Sequence, residues 1–83
     1  MALRLILLSR AYCHLCDEME TAVRPLAGCA LLEVIDIDAP EHAALEAAFG
    51  DLVPVLFRDV AVAANEICRY RLDRDKLERA LAR

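Results

Sequence analysis

The 83-residue sequence predicts an α/β domain with a four-stranded mixed sheet flanked by three helices, in the order β-α-β-α-β-β-α. Three observations lead there. A nearly continuous apolar run at the start gives way at His14 to a helical period, the mark of a buried strand feeding a helix. The same alternation recurs between residues 31 and 50. Two further strand-like runs, joined by a short link, then precede an amphipathic C-terminal segment. The first two strands, separated by a helical crossover, are expected to be parallel, and the last two to form an antiparallel hairpin.

Leu3 to Leu8 is bounded by Ser9-Arg10 and suits a strand buried on both faces. Leu15, Met19, Ala22, Val23 and Leu26 then fall on one helical stripe, with Asp17, Glu18 and Glu20 in the early turns, where acids complement the helix dipole. Pro25 is placed to shorten this helix and Gly28 to stop it. "LLEVIDID", residues 31–38, reads as a strand with a charge inside each face, which predicts an edge position or exposed ends. "APEHAALEAAFG" reads as a second helix, with Pro40 near its first turn, Gly50 at its end, and Leu45, Ala48 and Phe49 as its core face. "LVPVLFRDVAVA" and "EICRYRL" have strand composition, with a turn somewhere from Arg58 to Asn65. In "DRDKLERALAR", Asp73 is an N-cap candidate and Leu77, Ala80 and Leu81 form the apolar stripe.

A hydrophobic fraction of 59% supplies one core without obligatory disulfide or metal staples, so residues 1–83 read as a single domain. The net charge of -4 argues against a basic nucleic-acid surface, and the C-terminal arginines alternate with acids as on a solvated face. "LRLILL" is too short for a membrane span and lacks a cleavage site, so neither membrane nor export is expected. The expected compartment is the reducing cytoplasm, where four cysteines point to catalysis, metal binding or burial rather than a disulfide framework.

The chemistry concentrates in "RAYCHLCDEME". Cys13 falls at the N-terminus of the first helix, where free N–H groups and the dipole favour an anion, so its thiol pKa is expected below the free value of about 8.5. Cys16 follows one turn later, placed to attack a mixed disulfide formed on Cys13. His14, if protonated, and Arg10 across the loop would assist the thiolate, whereas Asp17 and Glu18 would oppose it. A Cys-x-x-Cys also serves zinc and iron–sulfur sites, but His14, His42, Cys29 and Cys68 do not repeat the knuckle spacing. Cys29 and Cys68 read as small packing residues and His42 as an exposed helix residue. Val53-Pro54 opens the third strand, the strand position that tolerates proline.

With "YCHLCDEM", "VPVL" and "EICRYRLD" in this order, the chain resembles the glutaredoxin and thioredoxin superfamily, and is most similar to small bacterial glutaredoxin-like proteins. The resemblance implies a thioredoxin/glutaredoxin-like fold with a cis Pro54 facing the cysteines. It assigns Cys13 as nucleophile and Cys16 as resolving thiol. Tyr12, His14, Val53 and Pro54 would form the substrate groove, with the Val53 backbone pairing with bound peptide or glutathione. The implied activity is thiol-disulfide oxidoreduction or electron carriage by a Cys13/Cys16 couple, acting on small or protein disulfides. The resemblance implies no bound cofactor, glutathione as a candidate co-substrate, and electrons from reduced glutathione or a thioredoxin-type reductase. His14-Leu15 replaces the Pro-Tyr usual between the cysteines, and no Gly-Gly turn follows the last strand, which keeps thioredoxin-like protein disulfides open as substrates. The rival readings are a redox-inert binding module using the Val53-Pro54 groove and a zinc or iron–sulfur protein.

Overall fold

A computed structural model describes residues 3–82. The strands are β1 (Arg4–Ser9), β2 (Leu31–Asp36), β3 (Val55–Arg58) and β4 (Glu66–Arg69); the α-helices are α1 (His14–Val23), α2 (Ala43–Phe49) and α3 (Arg74–Leu81). They form one mixed sheet in the order β2-β1-β3-β4. β1 runs parallel to β2 and antiparallel to β3, and β3 runs antiparallel to β4. The expected α/β architecture is therefore present.

Central β1 explains the sheet. Leu5, Ile6, Leu7 and Leu8 are all buried, and they alternate between two apolar layers as strand geometry requires. Leu5 and Leu7 face the layer holding Met19 and Val23 of α1 and Leu77 and Ala80 of α3. Ile6 and Leu8 face Val55, Phe57 and Ile37, with Leu45 and Phe49 of α2 packed against them. Each such aliphatic side chain contributes about 1.5–3 kcal/mol by burial. A bulge in β4 sets Ile67 between the pairs Leu56–Cys68 and Phe57–Glu66, so the consecutive Ile67 and Cys68 both join the first layer. β2 is an edge strand, as its mixed faces require, and it leaves Leu31 and Val34 exposed.

Several boundaries differ from the sequence reading. Pro25 has no N–H to donate, and the first helix passes into a 3₁₀ turn at Arg24–Leu26 before Gly28 takes a left-handed φ of 61°. The second helix is α-helical only over Ala43–Phe49, between 3₁₀ turns at Pro40–His42 and Gly50–Leu52, and Ala48 is exposed rather than on its core face. β3 stops at Arg58. Asp59 turns the chain at φ 74°, so "VAVA" forms a link rather than strand. Asp73 caps α3 as expected, its carboxylate accepting the Lys76 N–H at 3.1 Å. Among the described residues no helix is long and apolar enough to cross a membrane.

Candidate redox site

The strand register gathers the site. Leu8 of β1 is opposite Val55 of β3, and Val55 is opposite Arg69 of β4. The loop leaving β1, the Val53-Pro54 entry to β3 and the exit of β4 therefore lie at one end of the sheet. Cys13 and Cys16 are on that loop and the first turn of α1; Val53-Pro54 is a cis peptide bond.

Cys13 is the N-cap of α1. Its extended backbone (φ -102°, ψ 104°) starts the helix, and its sulfur accepts the Cys16 N–H at 3.2 Å. The two sulfurs are joined as a disulfide, with Cα atoms 5.2 Å apart. Their exposures differ: Cys13 is partly accessible, whereas Cys16, in the first turn of α1, is fully buried. An incoming sulfur can therefore reach Cys13 but not Cys16.

Two expected thiolate partners are engaged elsewhere. The Arg10 guanidinium makes a two-pronged contact with the Asp38 carboxylate, 2.9 Å on each arm, and donates to the Gly50 carbonyl at 3.0 Å. The fork geometry of a guanidinium matches a carboxylate, so both arms are committed to Asp38. This pairing raises the Arg10 pKa and holds the Asp38 carboxyl below its ordinary value. Arg10 thus braces the cysteine loop against the turn that leads to Val53-Pro54, a role with no local sequence signal. His14 Nε2 lies 3.2 Å from Glu18 Oε1, one helical turn on.

Tyr12 immediately precedes Cys13, with a left-handed φ of 59° and a fully exposed side chain. Tyr70 follows β4, also left-handed at φ 66°, and its N–H donates to the Pro54 carbonyl at 2.8 Å. Between the loop after β4 and α1 lies a groove of about 160 Å³. Leu15, from between the cysteines, lines it together with Met19, Ala22, Tyr70 and Leu72. Nothing in the local sequence announced Tyr70, because a tyrosine carries no preference for left-handed backbone.

The remaining cysteines separate. Cys68 is buried, as a packing residue should be, and burial pushes its thiol pKa up. Cys29 is exposed, contrary to the packing role expected of it, because it sits in the turn beyond Gly28 where the chain leaves the core. His42 is half-buried at the end of a 3₁₀ turn rather than exposed on a helix. Among the described residues, no group of three or more His, Cys, Asp or Glu side chains is gathered as a metal site. In the reduced native chain, alkylation should therefore modify Cys13 and Cys29, with Cys16 and Cys68 reacting only after unfolding. Peptide mass mapping reads this directly, and labelling of Cys68 at the rate of Cys29 would contradict the assigned burial.

Comparison with known proteins agrees with this geometry. Residues 4–82 match the family model described as Glutaredoxin-like domain (DUF836). The solution structure of protein Ne2328 from Nitrosomonas europaea is similar at a TM-score of 0.74 and 39% identity, covering 95% of this chain and 91% of that one. A malarial protein of 13% identity shares the fold at a TM-score of 0.65, over 99% of this chain and 96% of its own. A search of curated proteins found no match. With the model spanning nearly the whole sequence, the chain belongs to the glutaredoxin-like domain family.

Proposed function

We propose that the chain is a cytoplasmic thiol-disulfide oxidoreductase that cycles Cys13 and Cys16 between dithiol and disulfide. The observation that carries this reading is the asymmetric pair itself. A reachable sulfur caps a helix and accepts the Cys16 N–H, while a buried sulfur lies within bonding distance of it. A thiolate at that cap gains from the free N–H groups and the helix dipole, which lowers its pKa and raises the nucleophilic fraction at neutral pH.

In the reduced form the Cys13 thiolate attacks one sulfur of a substrate disulfide. The substrate S–S bond breaks, its first thiolate leaves and takes a proton from solvent, and a mixed disulfide with Cys13 forms. Cys16, having lost its proton, attacks the Cys13 sulfur and expels the second substrate thiolate, which is protonated in turn. The substrate disulfide has gained two electrons and the Cys13–Cys16 dithiol has lost them. Reduced glutathione or a thioredoxin-type flavoprotein reductase restores the dithiol. Val53 and Pro54, at the same end of the sheet, offer backbone along which an extended substrate segment would pair.

A disulfide-reduction assay on the native chain and Cys13→Ser tests the proposal. Activity in the native chain that falls to background in the variant supports it. Absence of activity in both favours a binding module at the Val53-Pro54 groove. Metal that co-purifies with the native chain and is lost in Cys13→Ser favours a metal carrier.

A further inference from the structure

Both tyrosines of the chain are held at the cysteine end of the sheet in backbone conformations that tyrosine disfavours. The third non-glycine residue with positive φ among those described, Asp59, belongs to a residue type that tolerates such turns. Tyr12 and Tyr70 have no such local reason. Burial does not explain them either, since their relative exposures are 106% and 43%. Glycine would adopt either position without strain. Aromatic rings kept outward at a conformational cost, at the cysteine end of the sheet, point to contacts made with something that binds there.

The groove next to Tyr70 indicates what that is. Its floor is apolar, built from Leu15, Met19, Ala22 and Leu72, and its volume of about 160 Å³ suits one aliphatic or aromatic side chain. Leu15 stands between the two cysteines in the chain, so the groove begins within two residues of each of them along the chain. The Tyr70 N–H to Pro54 carbonyl bond fixes the tyrosine to the β3 entry where a substrate strand would pair. At the rim Glu18 lies against His14, while Arg71 has no ion-pair partner among the described residues and is free to meet a substrate carbonyl or carboxylate.

We propose that Tyr12 and Tyr70, with the Leu15 groove, select polypeptide disulfides that carry an apolar side chain next to the half-cystine, in preference to oxidised glutathione. This inference rests on the redox reading of Cys13 and Cys16. Tyr12 shields the flank of the attacked sulfur, and Tyr70 walls the pocket for the neighbouring side chain. Both are specificity determinants rather than participants in sulfur exchange.

The test is a single-turnover measurement with the pre-reduced full chain, freed of excess reductant. Its probes are two disulfide-linked peptides differing only in leucine or serine before the half-cystine, and oxidised glutathione. The native chain should react with the leucine peptide about tenfold faster than with the serine peptide, within the range one apolar contact gives, and faster still than with oxidised glutathione. Tyr70→Gly should bring the leucine-to-serine ratio close to one, Tyr12→Gly should reduce it, and Tyr70→Phe should retain it. The glycine variants suit the existing backbone, and a thermal midpoint at or above the native value shows that they fold. An equal rate on both peptides, a ratio unchanged in Tyr70→Gly, or a preference for oxidised glutathione in the native chain would overturn the inference. Reduction of none of the three probes would contradict the redox reading itself, and the inference falls with it.

Discussion

Replacing Cys16 by serine is expected to stop the reaction halfway, with the substrate held on Cys13. On the proposed redox reading, the buried position of Cys16 in the first turn of α1 and the partly accessible position of Cys13 at the helix cap divide the work between them. Without Cys16 the first exchange proceeds, but nothing inside the protein attacks the mixed disulfide, which accumulates. Intact mass after incubation with a disulfide should show one substrate half per chain, released by added thiol. Cys13→Ser should form no such adduct, and its turnover should fall at least about a hundredfold, because a serine hydroxyl without an adjacent base is a poor nucleophile at neutral pH. An adduct on Cys16 in the Cys13→Ser chain would reverse the assigned order of attack. Cys29 is exposed and must be replaced in both variants so that its adducts are not counted.

The largest effect on stability is expected from Phe57→Ala. Phe57 is fully buried at the centre of β3 and meets Phe49 of α2 edge-to-face, with ring centroids 5.1 Å apart. The truncation removes the Phe49–Phe57 contact between α2 and the sheet and opens a cavity in the layer that holds Ile6, Leu8 and Ile37. Such changes cost about 3–5 kcal/mol. Small domains have about 0.05–0.15 kcal/mol of stability per residue, so this chain has roughly 4–12 kcal/mol in all. The variant is therefore expected to lose a large part of that stability. Urea titration should show a large fall in midpoint, and a loss below about 1 kcal/mol would mean that α2 does not pack on β3 as described.

The fold was legible in the sequence because the short apolar run of β1, closed by Ser9-Arg10 and followed by a helical period, suits a strand covered on both faces. Its four consecutive aliphatics, Leu5 to Leu8, are all buried. The two periods that follow it, and Asp73 before α3, were equally readable, since amphipathic spacing and capping act locally. What failed was governed by tertiary contacts. "VAVA" has strand composition, so local signals left the turn open from Arg58 to Asn65; the left-handed Asp59 sets where it starts, and the link fills that range. Ala48 has the spacing of a core residue, but the short α2 presents only Leu45 and Phe49 inward. Cys29 is as apolar as Cys68; only the direction of the chain after Gly28 separates an exposed thiol from a buried one.

The candidate site shows the same division. Cys13 as helix cap follows from the strand-to-helix transition, and Cys16 from helical spacing. The commitment of Arg10 to Asp38 and Gly50 depends on loops 28 and 40 residues away, so the sequence left it as a thiolate partner instead. Tyr70 reaches the site only because β4 runs antiparallel to β3, bringing its exit beside Pro54. The expectation that Pro54 is cis rested on the family resemblance, and the peptide bond is cis.

Equilibrium redox titration is the decisive test of Cys13 and Cys16 as a reversible two-electron couple. The chain would be poised in glutathione or dithiothreitol buffers and the fraction of Cys13–Cys16 disulfide read by rapid alkylation and mass. One transition between dithiol and disulfide is expected, following a two-electron dependence of about 30 mV per tenfold change in the ratio of forms, and lost in Cys13→Ser. Cysteines that remain reduced across the whole range, or that oxidise only between chains through Cys29, would contradict it.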